Sequence, residues 1–181
     1  MRIISGIYKN RRINFRNLRV RPTTDFAKES LFNILNNNFD LNTVHILDLF
    51  AGCGNISYEF LSRGAQNVTS IESNIKCVNF MKKIKSELHM EKLTIKCSTV
   101  NKYLKNNREK YDIIFSDPPY NYTQNQYNLM LNTIFKNKLL NESGVLVMEH
   151  SKLINFDNSV FFVDKKKYGR VHFTFLKYEK Y

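Results

Sequence analysis

The chain has 181 residues, of which 43% are hydrophobic and 24% are charged, as in an ordinary globular protein. This length suffices for one domain with a sizeable core, so we expect a single domain over residues 1–181. The net charge of +12 predicts an anionic partner, with nucleic acid as the first candidate. No apolar run approaches the roughly 20 residues of a membrane helix, and no secretory signal begins the chain. We therefore expect a cytoplasmic protein without a membrane partner.

The three cysteines and four histidines are scattered along the chain. Their spacing matches no metal-binding motif, and an odd number of cysteines favours reduced thiols over a disulfide framework. We therefore expect no metal site.

Residues 1–21 form a basic arm with seven Lys and Arg residues and no acidic residue. Isoleucines alternate with these charges, which predicts a short hairpin with a basic outer face. Such a face either contacts the phosphates of RNA or is a solvated charged edge, and uncompensated like charges favour the first interpretation. The arm residues assigned to RNA contact are Arg2, Lys9, Arg11, Arg12, Arg19 and Arg21.

A helix is predicted within residues 22–40, where apolar residues recur at helical spacing. Thr24 or Asp25 can cap its first turn. The apolar stripe of this helix belongs to the core.

Residues 46–55 (ILDLFAGCGN) lie near the start of the α/β core, which we expect to span residues 44–181. The apolar start predicts a buried parallel strand, and Gly52 and Gly54 let the next turn approach a ligand closely. A strand, a glycine turn and a helix form the nucleotide-binding corner of an open α/β sheet. The dinucleotide fingerprint requires a third glycine where Ser57 stands. Asp48 would repel a pyrophosphate, and it favours the cationic S-adenosylmethionine over NAD.

The second strand is predicted at Asn67–Glu72, and its last residue follows Asp48 by 24 positions. An acidic residue at this place typically accepts hydrogen bonds from ribose hydroxyls. Glu72 is therefore a candidate cofactor ligand. A basic amphipathic helix over residues 74–90 and a third strand at Leu93–Cys97 follow.

The fourth strand, Tyr111–Ser116, leads directly into Asp117-Pro118-Pro119-Tyr120. This motif lies 69 residues after Asp48, which leaves room for two further β-α units. Across the switch point of a doubly wound sheet, it would face the ligand of the glycine turn. Asp117 and the Pro118 carbonyl can accept hydrogen bonds from an amino group, while Tyr120 stacks on a base.

The remaining elements complete a seven-stranded, mostly parallel sheet. We predict a loop at 121–126, a helix at 127–135, a turn at 141–144 and a strand at 145–149. An antiparallel C-terminal hairpin follows, with strands at 160–163 and Val171–Leu176 and a basic turn at 165–167. The fold class is α/β, Rossmann-like, with the short basic hairpin at its N-terminus.

The pair DLFAGCG and DPPY resembles the signature of class I S-adenosylmethionine-dependent methyltransferases that act on exocyclic amino nitrogens. The opening MRIISGIYKNRRI, the segments RPTTD and KESLFN, and the later LSRGA and YGR resemble the RsmD family. Members of that family are bacterial enzymes that methylate N2 of one guanine in 16S ribosomal RNA. The resemblance covers essentially the whole chain.

The resemblance implies S-adenosyl-L-methionine as cofactor and a partner that is 16S rRNA or a small-subunit assembly particle, with the enzyme acting as a monomer. It implies that Phe50 contacts the cofactor and that the segment with Arg21 and Thr23 lies beside the active site, where Thr23 is assigned to RNA contact. Ser98 and Thr99 stand where many methyltransferases have an acidic residue for the adenine amino group. The resulting cofactor set is Asp48, Phe50, Gly52, Gly54, Glu72, Ser98, Thr99 and Asp117, and the catalytic set is Asp117, Pro118, Pro119 and Tyr120.

Two alternatives remain open from the residues alone. The DPPY chemistry also fits adenine N6 in DNA or a glutamine amide, although the basic arm disfavours the amide and a single compact domain disfavours sequence-specific DNA modification. A non-catalytic RNA-binding assembly factor with the same fold is the other alternative.

Overall fold

The structure, a computed structural model, describes residues 1–15 and 23–178. The helices are α1 (Asp25–Asn38), α2 (Asn55–Ser62), α3 (Ile75–Glu87), α4 (Val100–Asn106) and α5 (Gln124–Lys136). The strands are β1 (His45–Leu49), β2 (Asn67–Glu72), β3 (Leu93–Cys97), β4 (Tyr111–Ser116), β5 (Leu140–His150), β6 (Phe162–Tyr168) and β7 (Val171–Leu176). Among the described residues, no helix has both the length and the apolar character needed to cross a membrane.

The seven strands form one sheet in the order β3-β2-β1-β4-β5-β7-β6, which confirms the predicted Rossmann-like fold. Strands β1 to β5 are parallel, and β7 runs antiparallel to both β5 and β6. The strand order reverses between β1 and β4, where Leu49 pairs with Ser116. The glycine turn after β1 and the DPPY motif after β4 therefore leave the same edge of the sheet side by side.

Alternate residues of each central strand enter two separate cores. Ile46 and Ile113 face a core that includes side chains of α1, α2 and α3, whereas Leu47 and Ile114 face a core that includes side chains of α4 and α5. Helices cover both faces of the parallel part of the sheet, which explains why β1 and β4 are nearly continuous apolar runs.

Side-chain N-caps fix the beginnings of α1, α3, α4 and α5. The Thr24 hydroxyl accepts a hydrogen bond from the Ala27 amide at 3.3 Å, so Thr24 caps α1. Thr123 and Gln126 form a reciprocal capping box, and α5 consequently begins at Gln124. The prediction of a loop through residue 126 was therefore wrong, because the polar first turn hides the start of the helix.

Two other boundaries near the C-terminus also differ from the prediction. Residues 141–144, predicted as a turn, lie in β5, where Tyr111 pairs with Leu140 and the register shifts before Ile113 pairs with Val145. Residues 165–167 lie in β6, and the hairpin turns instead at Gly169, whose φ is +62°. Lysines are common on edge strands because they oppose pairing with another sheet, so the basic run belongs to the strand.

The N-terminal segment is a tight loop in which Ile3 and Ile13 are buried. Within residues 1–15, the predicted antiparallel pairing is present as one bridge between Arg2 and Arg12 and does not extend into regular strands. The amides of residues 4 and 5 donate instead to the carboxylate of Glu59 on α2. The Ser62 carbonyl also accepts from the Ile7 amide at 2.8 Å, and the Ser62 hydroxyl accepts from the Tyr8 amide at 3.0 Å. The segment is therefore attached to α2 and not to an edge of the sheet.

A buried charge cluster surrounds this attachment. The Lys28 and Glu59 side chains are fully buried, and the Lys28 Nζ lies 3.2 Å from the Glu59 carboxylate. Lys28 also donates to the Arg2 carbonyl at 2.6 Å and to Asn55 Oδ1 at 3.0 Å, and Arg63 pairs with Glu59 at 2.8 Å. Burial lowers the pKa of Lys28. The cluster links the N-terminal segment, α1 and α2.

Candidate active site

The turn between β1 and α2 depends on a glycine. Gly54 has φ +85° and precedes α2 as its N-cap, and its amide donates to the Ala51 carbonyl at 2.8 Å. A Cβ atom at this position would lie 2.5 Å from the buried ring of Tyr58. The sequence therefore requires glycine both for the left-handed backbone and for the packing of the ring beneath it.

Asp48 lies buried below this turn. Its carboxylate accepts a hydrogen bond from the Ser57 hydroxyl, which in turn lies 2.7 Å from the Ser70 hydroxyl. Burial raises the pKa of Asp48 to about 7, and the hydrogen bonds from Ser57 act in the opposite direction. A cation bound at the turn would favour the ionised carboxylate, as the sequence interpretation requires.

Four predicted cofactor residues line one pocket of about 190 Å³ at this edge of the sheet. They are Phe50, Glu72, Ser98 and Thr99, joined there by Ile71, Ser73, Val100, Asn101 and Tyr122. The Glu72 carboxylate accepts hydrogen bonds from the Gly52 amide at 2.8 Å and the Asn74 amide at 2.7 Å. It is thereby fixed between the glycine turn and the pocket.

The lining of this pocket fits the nucleoside half of S-adenosylmethionine. Phe50, Ile71 and Val100 supply apolar surface for a flat base. The Glu72 carboxylate has further acceptor capacity for vicinal hydroxyls, and Ser98 and Thr99 bring polar groups from the turn before α4. The carboxylate of Glu72 lines this pocket, whereas Asp48 is buried beneath the glycine turn and Asp117 lines a neighbouring pocket.

The DPPY motif lines a second, smaller pocket. The Asp117 amide lies 3.5 Å from the Leu49 carbonyl, which places the motif beside the end of β1. Asp117 is half-buried and Pro118 is buried, whereas Pro119 and Tyr120 are exposed. The Tyr120 side chain is 89% exposed, so its ring is available for stacking on a planar group.

The charge environment of Asp117 is strongly acidic. Burial, followed by the nearby carboxylates of Glu149 and Asp48, raises the pKa of Asp117 well above its ordinary value. A cationic ligand or a hydrogen-bond donor at this place would favour the ionised form. Asp117 is thus suited to a ligand that brings positive charge or N–H groups.

Tyr122 forms a wall that the two pockets share. It lines both of them, and its ring centroid lies 5.4 Å from that of Phe50 and 5.3 Å from that of Tyr127. The structure therefore places the pocket lined by four of the predicted cofactor residues next to the pocket lined by the predicted catalytic residues.

The predicted RNA-contact residues are distributed differently. Arg2, Lys9, Arg11 and Arg12 are exposed on the N-terminal segment, and Arg2 lies 3.4 Å from Asp25. Thr23 is buried, and its hydroxyl donates to the Glu149 carboxylate at 2.9 Å. Arg19 and Arg21 lie outside the described residues.

We call the pocket that the DPPY motif lines the acceptor pocket. Among its lining residues, sequence reasoning did not assign Glu149, Tyr122 or Tyr127 to the site. Glu149 stands near the carboxyl end of β5, much as Asp117 follows β4 and Asp48 stands near the end of β1. Polar residues at the carboxyl ends of parallel strands meet at one edge, and this rule would have identified Glu149. The two tyrosines carry no comparable signal, because their positions depend on how the loop folds back.

The fold, the glycine corner and the DPPY pocket together define a class I S-adenosylmethionine-dependent methyltransferase, with S-adenosyl-L-methionine as its cofactor. Residues 1–177 match the family model described as "Conserved hypothetical protein 95". The chain belongs to this family, the RsmD family.

Named relatives agree with this membership, and a solved structure agrees with the fold. Ribosomal RNA small subunit methyltransferase D of Buchnera aphidicola subsp. Baizongia pistaciae is 34% identical over 179 residues, which cover 96% of this chain and 90% of the relative. The protein of the same name from Haemophilus influenzae is 30% identical over 167 residues, covering 84% and 79%. The solved structure of yhhF from Escherichia coli has a TM-score of 0.85 at 24% identity and covers 99% of both chains.

Proposed function

We propose that this protein transfers the methyl group of S-adenosylmethionine to the exocyclic N2 of a guanine in small-subunit ribosomal RNA. The observation that carries the proposal is the shared wall at Tyr122, which makes the DPPY pocket the neighbour of the nucleoside pocket. The names of the relatives from Buchnera aphidicola and Haemophilus influenzae support ribosomal RNA as the acceptor.

The acceptor chemistry explains why DPPY suits an aryl amine. The lone pair of such an amine is delocalised into the ring, so the nitrogen is a poor nucleophile. The Asp117 carboxylate and the Pro118 carbonyl can accept hydrogen bonds from its two hydrogens and direct the lone pair out of the plane. Tyr120 can stack on the base and hold it in that orientation. Alignment of this kind supplies much of the rate.

When bound, S-adenosylmethionine supplies an electrophilic methyl group. The amine nitrogen forms the new bond to that methyl carbon while the carbon–sulfur bond breaks and its electron pair remains on sulfur, which leaves as the neutral thioether. The nitrogen must then lose one proton. The Asp117 carboxylate can take this proton, either directly or through water. In this role Asp117 serves first as a hydrogen-bond acceptor and then as a base.

The RNA must present its base outside a stacked helix. Enzymes that modify a base edge bind unstacked nucleotides or extrude the target from the duplex. The exposed Arg2, Lys9, Arg11 and Arg12 can contact the surrounding phosphates, which positions the RNA without reading its sequence. We propose a cytoplasmic monomer whose partner is 16S rRNA or a small-subunit assembly particle.

A transfer assay with tritiated S-adenosylmethionine tests the acceptor class. Small subunits and rRNA from cells that lack the enzyme, duplex DNA and a protein mixture are offered separately, with Asp117→Asn as the inactive control. Label in the RNA alone is the expected result. Label in DNA or protein would overturn the proposed acceptor, and cofactor binding without transfer to any of them would contradict the enzymatic role.

A further inference from the structure

Three charged side chains from neighbouring strands line the acceptor pocket at one edge of the sheet. They are Asp117 after β4, Glu149 near the end of β5 and Arg170 just before β7. Ser116 pairs with Met148, so Asp117 and Glu149 are the next residues of adjacent parallel strands. His150 pairs with His172 in the antiparallel direction, which brings Arg170 to the same edge. Along the order β4, β5, β7, the pocket therefore presents two hydrogen-bond acceptors, Asp117 and Glu149, and then one hydrogen-bond donor, Arg170.

The Watson–Crick edge of guanine has the complementary order. Its N2 amino group and N1–H are donors, and O6 is an acceptor. Adenine presents an acceptor at N1 and a donor at its 6-amino group, and it has no amino group at C2. A site with two carboxylates followed by a guanidinium thus matches guanine and opposes adenine at N1 and at the 6-position.

We infer that Glu149 accepts the N1–H of the target guanine and Arg170 donates to its O6, while Asp117 holds N2. The inference rests on the proposed function and assigns base specificity to two residues outside the DPPY motif. The order β4, β5, β7 in the sheet corresponds to the order N2, N1, O6 along the base.

The surroundings of Glu149 hold it in place for this role. Its carboxylate accepts from the Thr23 hydroxyl at 2.9 Å, and its backbone carbonyl accepts from the Tyr127 hydroxyl at 3.1 Å. Thr23 acts as a positioning residue, because it orients Glu149 and connects the segment before α1 to the pocket.

The test compares guanine with 2,6-diaminopurine at the mapped target nucleotide of small-subunit RNA assembled by ligation. Diaminopurine keeps the 2-amino group that would receive the methyl group. Its N1, however, accepts a hydrogen bond, and its 6-position carries an amino group that donates one. We expect the native enzyme to prefer guanine by about tenfold or more in kcat/KM. Glu149→Gln can donate to the diaminopurine N1, so the preference should fall by about tenfold. Glu142→Gln, at the opposite end of β5, should keep the native preference.

An equal loss on both bases in Glu149→Gln would overturn the inference, because a purely structural residue does not distinguish them. Arg170→Ala should reduce methylation of guanine more than that of diaminopurine, and the reverse result would also contradict the assignment. If the native enzyme methylates neither base at N2, the proposed function itself fails and the specificity assignment falls with it.

Discussion

Replacing Glu59 by Gln tests whether the buried charge cluster holds the N-terminal segment to the domain. One carboxylate oxygen accepts from the Ile4 amide at 2.8 Å and lies 3.2 Å from Lys28 Nζ. The other accepts from the Ser5 amide at 3.0 Å and from Arg63 Nε at 2.8 Å. The substitution removes the charge opposite a fully buried ammonium and replaces one acceptor by a donor.

Breaking a buried ion pair in this way costs about 3–5 kcal/mol of unfolding free energy. For a domain of 181 residues, each kcal/mol corresponds to about 2–4 °C in Tm. We therefore expect Glu59→Gln to lower Tm by about 6–20 °C. Urea unfolding followed by circular dichroism measures the free energy, and native-state trypsin digestion at Arg11 and Arg12 should accelerate.

Glu87→Gln is the matched control, because Glu87 forms an exposed pair with Lys83 at 3.6 Å. Such surface pairs contribute about 0–1 kcal/mol, so its unfolding curve should barely move. A loss below about 1 kcal/mol in Glu59→Gln, with native protease resistance, would refute this account of the cluster.

Asp117→Asn should lower kcat by roughly 10²–10⁴-fold while S-adenosylhomocysteine binding survives, because the amide cannot take the proton. Glu72→Gln should raise the calorimetric Kd of the cofactor by about tenfold or more, because charged acceptors form the stronger hydrogen bonds. Arg11→Ala combined with Arg12→Ala should reduce the slope of log affinity for RNA against log salt by about 1.5. Folding raises the pKa of Asp48 to about 7, so the native protein binds an extra proton when folded and loses unfolding free energy as pH rises from about 4 to 7. Asp48→Asn lacks this group, so its unfolding free energy should rise relative to that of the native protein over the same window, by on the order of 4 kcal/mol at most.

Each of these results has a control or a contrary outcome. Glu87→Gln should leave the Kd of the cofactor unchanged. Lys105→Ala with Arg108→Ala removes the same charge near the amino end of β4, away from the active-site edge, and should leave the RNA salt slope nearly unchanged. Native turnover in Asp117→Asn would contradict its role, and pH-independent stability of the Asp48 variant relative to the native protein would contradict the burial argument.

The central sheet could be predicted closely from the sequence. The predicted bounds of β2, β3 and β4 agree with the structure, because these strands are short and end at polar or turn-forming residues. The apolar runs of β1 and β4 predicted burial on both faces, and the strand order confirmed their adjacency. The convergence of Phe50, Glu72 and the turn before α4 also followed from the rule that ligands bind at the carboxyl ends of strands.

The remaining features depend on contacts between distant residues. Polar residues 141–144 and the lysines of β6 are typical of turns when read locally, yet pairing with β4 and β7 places them in strands. The burial of Lys28 follows from Glu59, which lies 31 positions later in the chain. The contact between Thr23 and Glu149 spans 126 positions, so no local pattern indicates it.

Identifying the methylated atom tests the central claim most directly. Small-subunit rRNA from the transfer assay would be digested to nucleosides, and the labelled product compared with standards by chromatography and mass spectrometry. We expect the label in N2-methylguanosine, absent when Asp117→Asn replaces the native enzyme. Label in 1-methylguanosine or in a methyladenosine would contradict the proposed geometry of the acceptor pocket.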